Sequence, residues 1–421
     1  MLSKLCVLLM ILCVAAVGVT EHRAAEINLK TDIDLTLAQG SSDIQQSLLE
    51  LSPEFDIKLN SGWRGNLSLT LEQSGANVGL GTRLTFDDIS RPIRFDDNLR
   101  LNLDNATLSW RNRSSRLTVG KQTFAWGLLD GIQITDRLDA TTKRQAIFIE
   151  QRPQRISRWA FRAQFKAAHL HWDAGMIVDN SADQLAAPDS NYAVTASRYR
   201  AGYSEPAVLP EPAVQLASLP TFAIKATQRS ADSDLSLVMI KGPETEPVII
   251  TNRTGISLTY PSRTLIGGTY QLIDDNKVWR FEIATILNQP INVRSELPLV
   301  EERERVLAGM GIDWRFENDL FLNIQVAVDT ISGEQLVRPK TDWIATAKAQ
   351  QRFNNDRLKI SLELLSSLQQ MDGALRPNIT YQYDDILSIS AGIDWVWGDR
   401  ETMLGQFADT DRVWLKASWS M

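Results

Sequence analysis

Few residues in this 421-residue chain have the types and spacing for bond-making chemistry. Its only imidazoles are His22, His169 and His171, and its only thiols are Cys6 and Cys13. His169-Leu170-His171 would put two imidazoles on one face of a strand, which is half of a metal site. No third ligand is identifiable, so a surface or lumen-lining pair is expected and no metal or other cofactor is assigned. A nucleophile needs a base in reach. No nucleophile motif is recognisable near these histidines, so no catalytic residue and no enzymatic activity are expected. Gly75, Gly79 and Gly81 lack phosphate-loop spacing and read as a flexible turn or loop tip. With 44 basic and 51 acidic residues and a formal net charge of −7, the chain has no global attraction for nucleic acid.

What remains is charge on one long link. Segment 127–158 starts acidic, with Asp130, Asp136 and Asp139, and ends basic, with Lys143, Arg144, Arg152, Arg155 and Arg158. If the link folds inward, these charges face each other across a passage, and the basic set makes it prefer anions. The other reading is a solvated or lipopolysaccharide-facing loop. Just upstream, Gly120 interrupts a strand pattern, which indicates a bulge or a close backbone approach. Gln122 would then point into the lumen and Trp126-Gly127 would end the strand.

The elements that must carry these residues alternate with a period of two. Ile27, Leu29, Thr31, Ile33, Leu35 and Leu37 share one parity; so do Val306, Ala308, Met310, Ile312 and Trp314, and again Val413, Leu415, Ala417, Trp419 and Met421. Alternation over nine to twelve residues is the signature of strands buried on one side. Nineteen segments qualify, among them 253–260. Tight polar turns such as Asp384-Asp385 and Asn354-Asn355-Asp356 alternate with longer links at 289–303, 331–341, 366–375 and 398–410. Short turns at one end and long loops at the other describe a transmembrane barrel. Single-chain barrels of bacteria have even strand numbers. The expected fold is therefore all-β, one transmembrane antiparallel β-barrel of about 18 strands, with 16 as the alternative. Opposite parity gives lumen residues such as Asn323, Gln325 and Asp329, or Lys359, Ser361 and Glu363. Trp314, Trp343, Trp395, Trp397, Trp414 and Trp419 lie near strand ends, where aromatic girdles sit.

Lys4, the apolar run from Leu5 to Val17 and the small residues Ala16-Val17-Gly18 read as a signal peptide over 1–18, followed by a single barrel domain over 19–421. A Pro-rich loop is expected at 205–220, where Pro206, Pro210, Pro212 and Pro220 deny ladder donors.

Thr118-Val119-Gly120-Lys121-Gln122, then Trp126-Gly127, then Asp136-Arg137-Leu138-Asp139 resembles a little-characterised family of Gram-negative outer-membrane barrels. More distantly the chain is similar to alginate-export and porin-like 18-stranded barrels. The motif match is local, covering about 100–180. The resemblance implies an outer-membrane location and a passage or binding role, and supplies no substrate. The expected function is a passive channel or export conduit for a polar small molecule or polysaccharide. The alternative is a loop-plugged barrel serving as an adhesin or as an assembly partner of a periplasmic export complex. Outer-membrane lipid and lipopolysaccharide would surround either one. On both readings, the purified chain should fold only in detergent or lipid and migrate faster on a gel unheated than boiled. A soluble, monodisperse protein without detergent would exclude the barrel.

Overall fold

A chain that meets lipid on one side and water on the other can satisfy every backbone amide only in a sheet without edges. The structure, a computed structural model, describes residues 26–40, 44–59, 62–75, 80, 85–144, 154–186, 190–193, 213–252, 255–294 and 299–421. Eighteen strands close into one antiparallel barrel. They are β1 (Glu26–Gly40), β2 (Ile44–Lys58), β3 (Trp63–Ser74), β4 (Leu99–Arg111), β5 (Ser115–Gln122) and β6 (Arg158–Ala167). Next come β7 (Leu170–Ile177), β8 (Thr221–Arg229), β9 (Ser233–Pro243), β10 (Ser262–Asp274), β11 (Lys277–Val293) and β12 (Leu299–Arg315). The last are β13 (Phe321–Ile331), β14 (Thr341–Phe353), β15 (Leu358–Ser367), β16 (Asp372–Gln382), β17 (Leu387–Trp397) and β18 (Arg412–Ser420). Each pairs with its predecessor, and β18 returns to β1 with Ser420 opposite Asp32 and Arg412 opposite Gly40. Thr31 and Met421 finish the seam by exchanging both backbone hydrogen bonds, at 2.8 and 2.9 Å.

The two parities separate as the alternation requires. Leu237, Ile266, Ile283, Ile324, Leu362, Ile393 and Leu415 are exposed, while Ser236, Thr269, Glu282, Asn323, Ser361, Asp394 and Arg412 are buried. An exposed apolar belt that circles the molecule is far larger than a water-soluble surface tolerates, and marks a membrane-spanning barrel. The eight connections at 59–62, 112–114, 168–169, 230–232, 275–276, 316–320, 354–357 and 383–386 are short and share one end, the turn end. The longer connections share the other, the loop end.

Eighteen of the nineteen expected segments are barrel strands. The exception is 253–260. Gly255–Thr259 pairs with Val248–Asn252 and, in parallel, with Ala213–Gln215 in a separate small sheet at the loop end. Its alternation serves a local core, where Leu258 and Tyr260 are buried, instead of lipid. Two expected long links are also shorter than they read. The ladder of β11 and β12 continues past a bulge near Ile286 to Val293 opposite Leu299, and β15 and β16 are joined by residues 368–371 alone. Of the Pro-rich loop, residues 205–212 lie outside the described residues, as do residues 1–18.

Tryptophan placement follows the girdle pattern with one correction. Trp343 and Trp395 are exposed near the loop end, and Trp314 stacks on Phe316 at the turn end with centroids 4.3 Å apart. Trp414 instead has the parity of Arg412 and Lys416. It lies over Gly392 inside the barrel, and its indole N–H donates to Asp394 (3.3 Å). The paired histidines also need correction. His169 sits with Ala168 in the β6–β7 turn at positive φ (66° and 48°), so it does not share a strand face with His171.

Leu415 lies midway along β18 on the lipid side. Leu415→Arg should lower the unfolding free energy in vesicles by about 2–4 kcal/mol. Lys416→Ala removes only a part-exposed ion pair with Asp34 (3.1 Å) and should cost about 1 kcal/mol or less. Equal losses in denaturant titrations would reverse the face assignment.

Candidate functional site

The interior of an eighteen-stranded barrel is too wide for wall side chains to fill. Here the link after β5 fills part of it. Gly120 has φ +128°, and a Cβ there would lie 2.0 Å from the Ala106 carbonyl oxygen, so the bulge requires glycine. Alternation breaks at this point: Gly120, Lys121 and Gln122 are all buried, and Gln122 Nε2 donates to the Ala160 carbonyl at 3.2 Å. The chain then leaves the wall and enters the lumen. Phe124, Trp126, Leu129, Ile132, Ile134 and Leu138 pack against the inner residues Ile177, Val238, Leu265, Ile286 and Leu307. Each large side chain buried this way contributes roughly 1.5–3 kcal/mol. Two inward glycines of β12 make the room. A Cβ on Gly309 would meet Ile134 at 2.7 Å, and one on Gly311 would meet Leu129 at 3.0 Å.

Inserting a loop buries its backbone, whose polar groups then need partners. The wall provides them. Glu282 of β11 accepts from the Leu128 amide, the Leu129 amide (2.8 Å), the Thr135 amide (3.0 Å) and the Thr135 hydroxyl (2.7 Å). Gln325 accepts from the Asp130 amide and donates to its carbonyl, both at 2.8 Å. Lys225 donates to the Trp126 carbonyl (3.0 Å) and Arg263 to that of Arg137 (2.7 Å). Gln325 was expected to face the lumen. Glu282, Lys225 and Arg263 were not singled out, although charged residues at inward positions of otherwise apolar strands were a usable signal.

The charges of the inserted link pair with one another and with the wall. Arg155 bridges Asp136 (2.8 Å from its Nη1) and Asp139 (3.4 Å), so the acidic start and the basic end meet directly. Burial pushes the Asp139 carboxyl up to about 7, against the pull of Arg158 and the hydrogen bond from the Phe124 amide. Arg158 is buried and donates to the Leu138 carbonyl. Asp130 takes Arg280 at 3.2 Å, and Lys143 lies 2.8 Å from both Asp183 and Glu246. Arg144 reaches Glu72 of β3 (2.6 Å), which also holds Arg100 (2.6 Å) and so ties the far end of the inserted segment to the wall. Arg152 lies outside the described residues.

Residues 178–186 and 190–193 of the link after β7 also pack at the loop end. Gln184 and Leu185 pair in parallel with Thr142 and Lys143, and the Tyr192 hydroxyl accepts from Arg412 (3.0 Å) on the far wall. The wall from β14 round to β1 carries a row of charges of alternating sign. Lys348 lies 2.7 Å from Glu363, Arg376 lies 3.8 Å from Glu363 and 2.9 Å from Asp394, and Arg412 lies 2.7 Å from Asp394. Lys416 and Asp34 continue it. The side chains of Lys348, Lys416 and Asp34 remain 27%, 32% and 28% exposed, so solvent reaches these parts of the row, whereas Asp394 and Arg412 are buried in their mutual ion pair. Among the described residues no group of three His, Cys, Asp or Glu side chains could hold a metal ion.

No family model matches the chain, and no curated protein is similar to it in sequence. Solved structures do resemble it. Acinetobacter baumannii OccAB1 superposes with a TM-score of 0.54 at 7% identity, over 94% of this chain and 96% of that one. Pseudomonas aeruginosa OccK11 (OpdR) gives 0.51 at 9% identity, over 94% and 96%. Pseudomonas aeruginosa OprD gives 0.50 at 9% identity, over 94% and 95%. At such identities the likeness shows the fold alone, a closed antiparallel barrel.

Glu282→Ala leaves four buried donors of the loop without an acceptor, at about 1–3 kcal/mol each. Hydrogen exchange at the Leu128, Leu129 and Thr135 amides should accelerate by about 100-fold or more while the barrel strands stay protected. Unchanged protection at these amides would show that the loop is held by other contacts.

Proposed function

We propose that the chain is a passive outer-membrane channel for a polar solute, with the loop end outward and the turn end facing the periplasm. One observation carries this reading. The inserted loop is fixed to the wall of β6–β14, while the charged wall from β14 to β1 keeps part-exposed side chains at Lys348, Lys416 and Asp34. Alternating charges along that wall hydrate a polar solute without presenting a trap of one sign. Passage would be diffusion along the wall, and the solute would have to fit beside the loop. An extended polysaccharide is the finer form of the same proposal.

A plugged barrel acting as an adhesin or as a partner of an export complex is the competing reading. It is favoured by Tyr192, in the link after β7, whose hydroxyl meets Arg412. Planar bilayers separate the two. A channel gives stepwise conductance in the wild type and a larger step in Glu282→Ala, where the loop is released. A wild type with no conductance would reject the channel and leave the scaffold.

A further inference from the structure

The turn-end mouth is electrically lopsided. Of the eight short turns, those at 230–232, 275–276, 316–320, 354–357 and 383–386 each contain Asp or Glu, whereas those at 59–62, 112–114 and 168–169 contain none. Around these three, Arg64, Arg111, Arg113, Arg116 and Lys166 are all exposed. None of the five has a carboxylate in ion-pair contact among the described residues. The sheet holds them side by side. Arg64 of β3 lies opposite Ser109, two residues before Arg111; Arg111 lies directly opposite Arg116; and the Lys166 amide donates to the Ser114 carbonyl (3.1 Å). Like charges directly opposite each other destabilise a strand pair, so this arrangement carries a cost that an anion would remove.

The parity of the strands says where the cluster faces. Trp63, Leu117 and Phe165 are exposed on the lipid side. Arg64, Arg116 and Lys166 are their immediate neighbours in sequence and so project to the other side, at the rim of the lumen. Arg111, opposite Arg116, shares that rim. Guanidinium groups match phosphate, sulfate and carboxylate oxygens in bidentate fashion, and several on one rim favour an anion with more than one charge.

We propose that this rim is a binding site for a multivalent oxyanion, and that it captures anionic groups of the solute at the turn-end mouth. As a capture step it rests on the channel reading; as a binding site it does not. The probe is inorganic tripolyphosphate, applied to single barrels in bilayers of zwitterionic lipid at low ionic strength, where the Debye length is about 30 Å at 0.01 M salt. Block of the current should be stronger by about tenfold or more from one compartment than from the other. Arg111→Gln/Arg116→Gln should weaken that block by about tenfold or more, since two charge-assisted contacts to the anion are lost. Added phosphatidylglycerol should leave the block unchanged; competition by it would assign the rim to lipid headgroups and overturn a solute site. Equal block from both sides, or equal block in the double variant, would also overturn it. If the wild type does not conduct, the channel reading fails, and titration of the detergent-solubilised barrel decides the site alone. Tenfold weaker tripolyphosphate binding by the double variant supports it, and equal affinity rejects it. Gel heat-modifiability of the variant confirms that it is folded.

Discussion

Closure of the sheet is the constraint from which the rest follows. A backbone amide facing lipid has no water to bond, so no strand edge can be left open across the belt. The seam between β1 and β18 meets that demand over Asp32–Gly40, and the terminal pair Thr31 and Met421 completes it. Once the ring is closed, every residue has one of two solvents. A one-residue slip would move Leu415 into the lumen and Lys416 into lipid.

Eighteen strands enclose more space than wall side chains occupy, and the inserted loop answers that excess. Its apolar residues join those of the wall in the main buried cluster among the described residues, on the inside of a barrel whose outside is also apolar. The loop is held by direction as well as by burial. Glu282 gathers donors from two turns of the loop, and Gln325 pairs with both polar groups of the Asp130 backbone. Arg155 lies on Asp136 and Asp139, so these charges of the loop are directed at one another. The remaining space is faced by the wall row and, at the turn end, by Arg64, Arg111, Arg113, Arg116 and Lys166, which have no ion-pair partner among the described residues.

The barrel was legible in the sequence because lipid and water on opposite faces write a period of two into every spanning strand. That record is local, and eighteen strands could be read from it. The segment 253–260 misled because a small sheet at the loop end produces the same alternation without touching lipid. Trp414 misled because an indole near a strand end can also turn inward onto a glycine, here Gly392. The loop contacts were illegible for a different reason. Glu282 meets Thr135 across 147 residues, and Gln325 meets Asp130 across 195, so no spacing announces either pair. Only Gly120 signalled locally, since an interruption in a strand has a geometric cause. The charges of 127–158 were visible as a cluster, but their mutual pairing required the fold.

The loop covers one inner wall of the barrel and leaves side chains of the other wall in contact with solvent. Residues 14–421 contain no cysteine, which makes single-cysteine reporters direct. A small charged methanethiosulfonate reagent should modify Asn378→Cys on the open wall rapidly and reduce the current through the barrel. The same reagent should not reach Ala284→Cys, which lies beneath the loop on β11. Rapid modification at Ala284→Cys with protection at Asn378→Cys, or equal rates at both, would contradict the account.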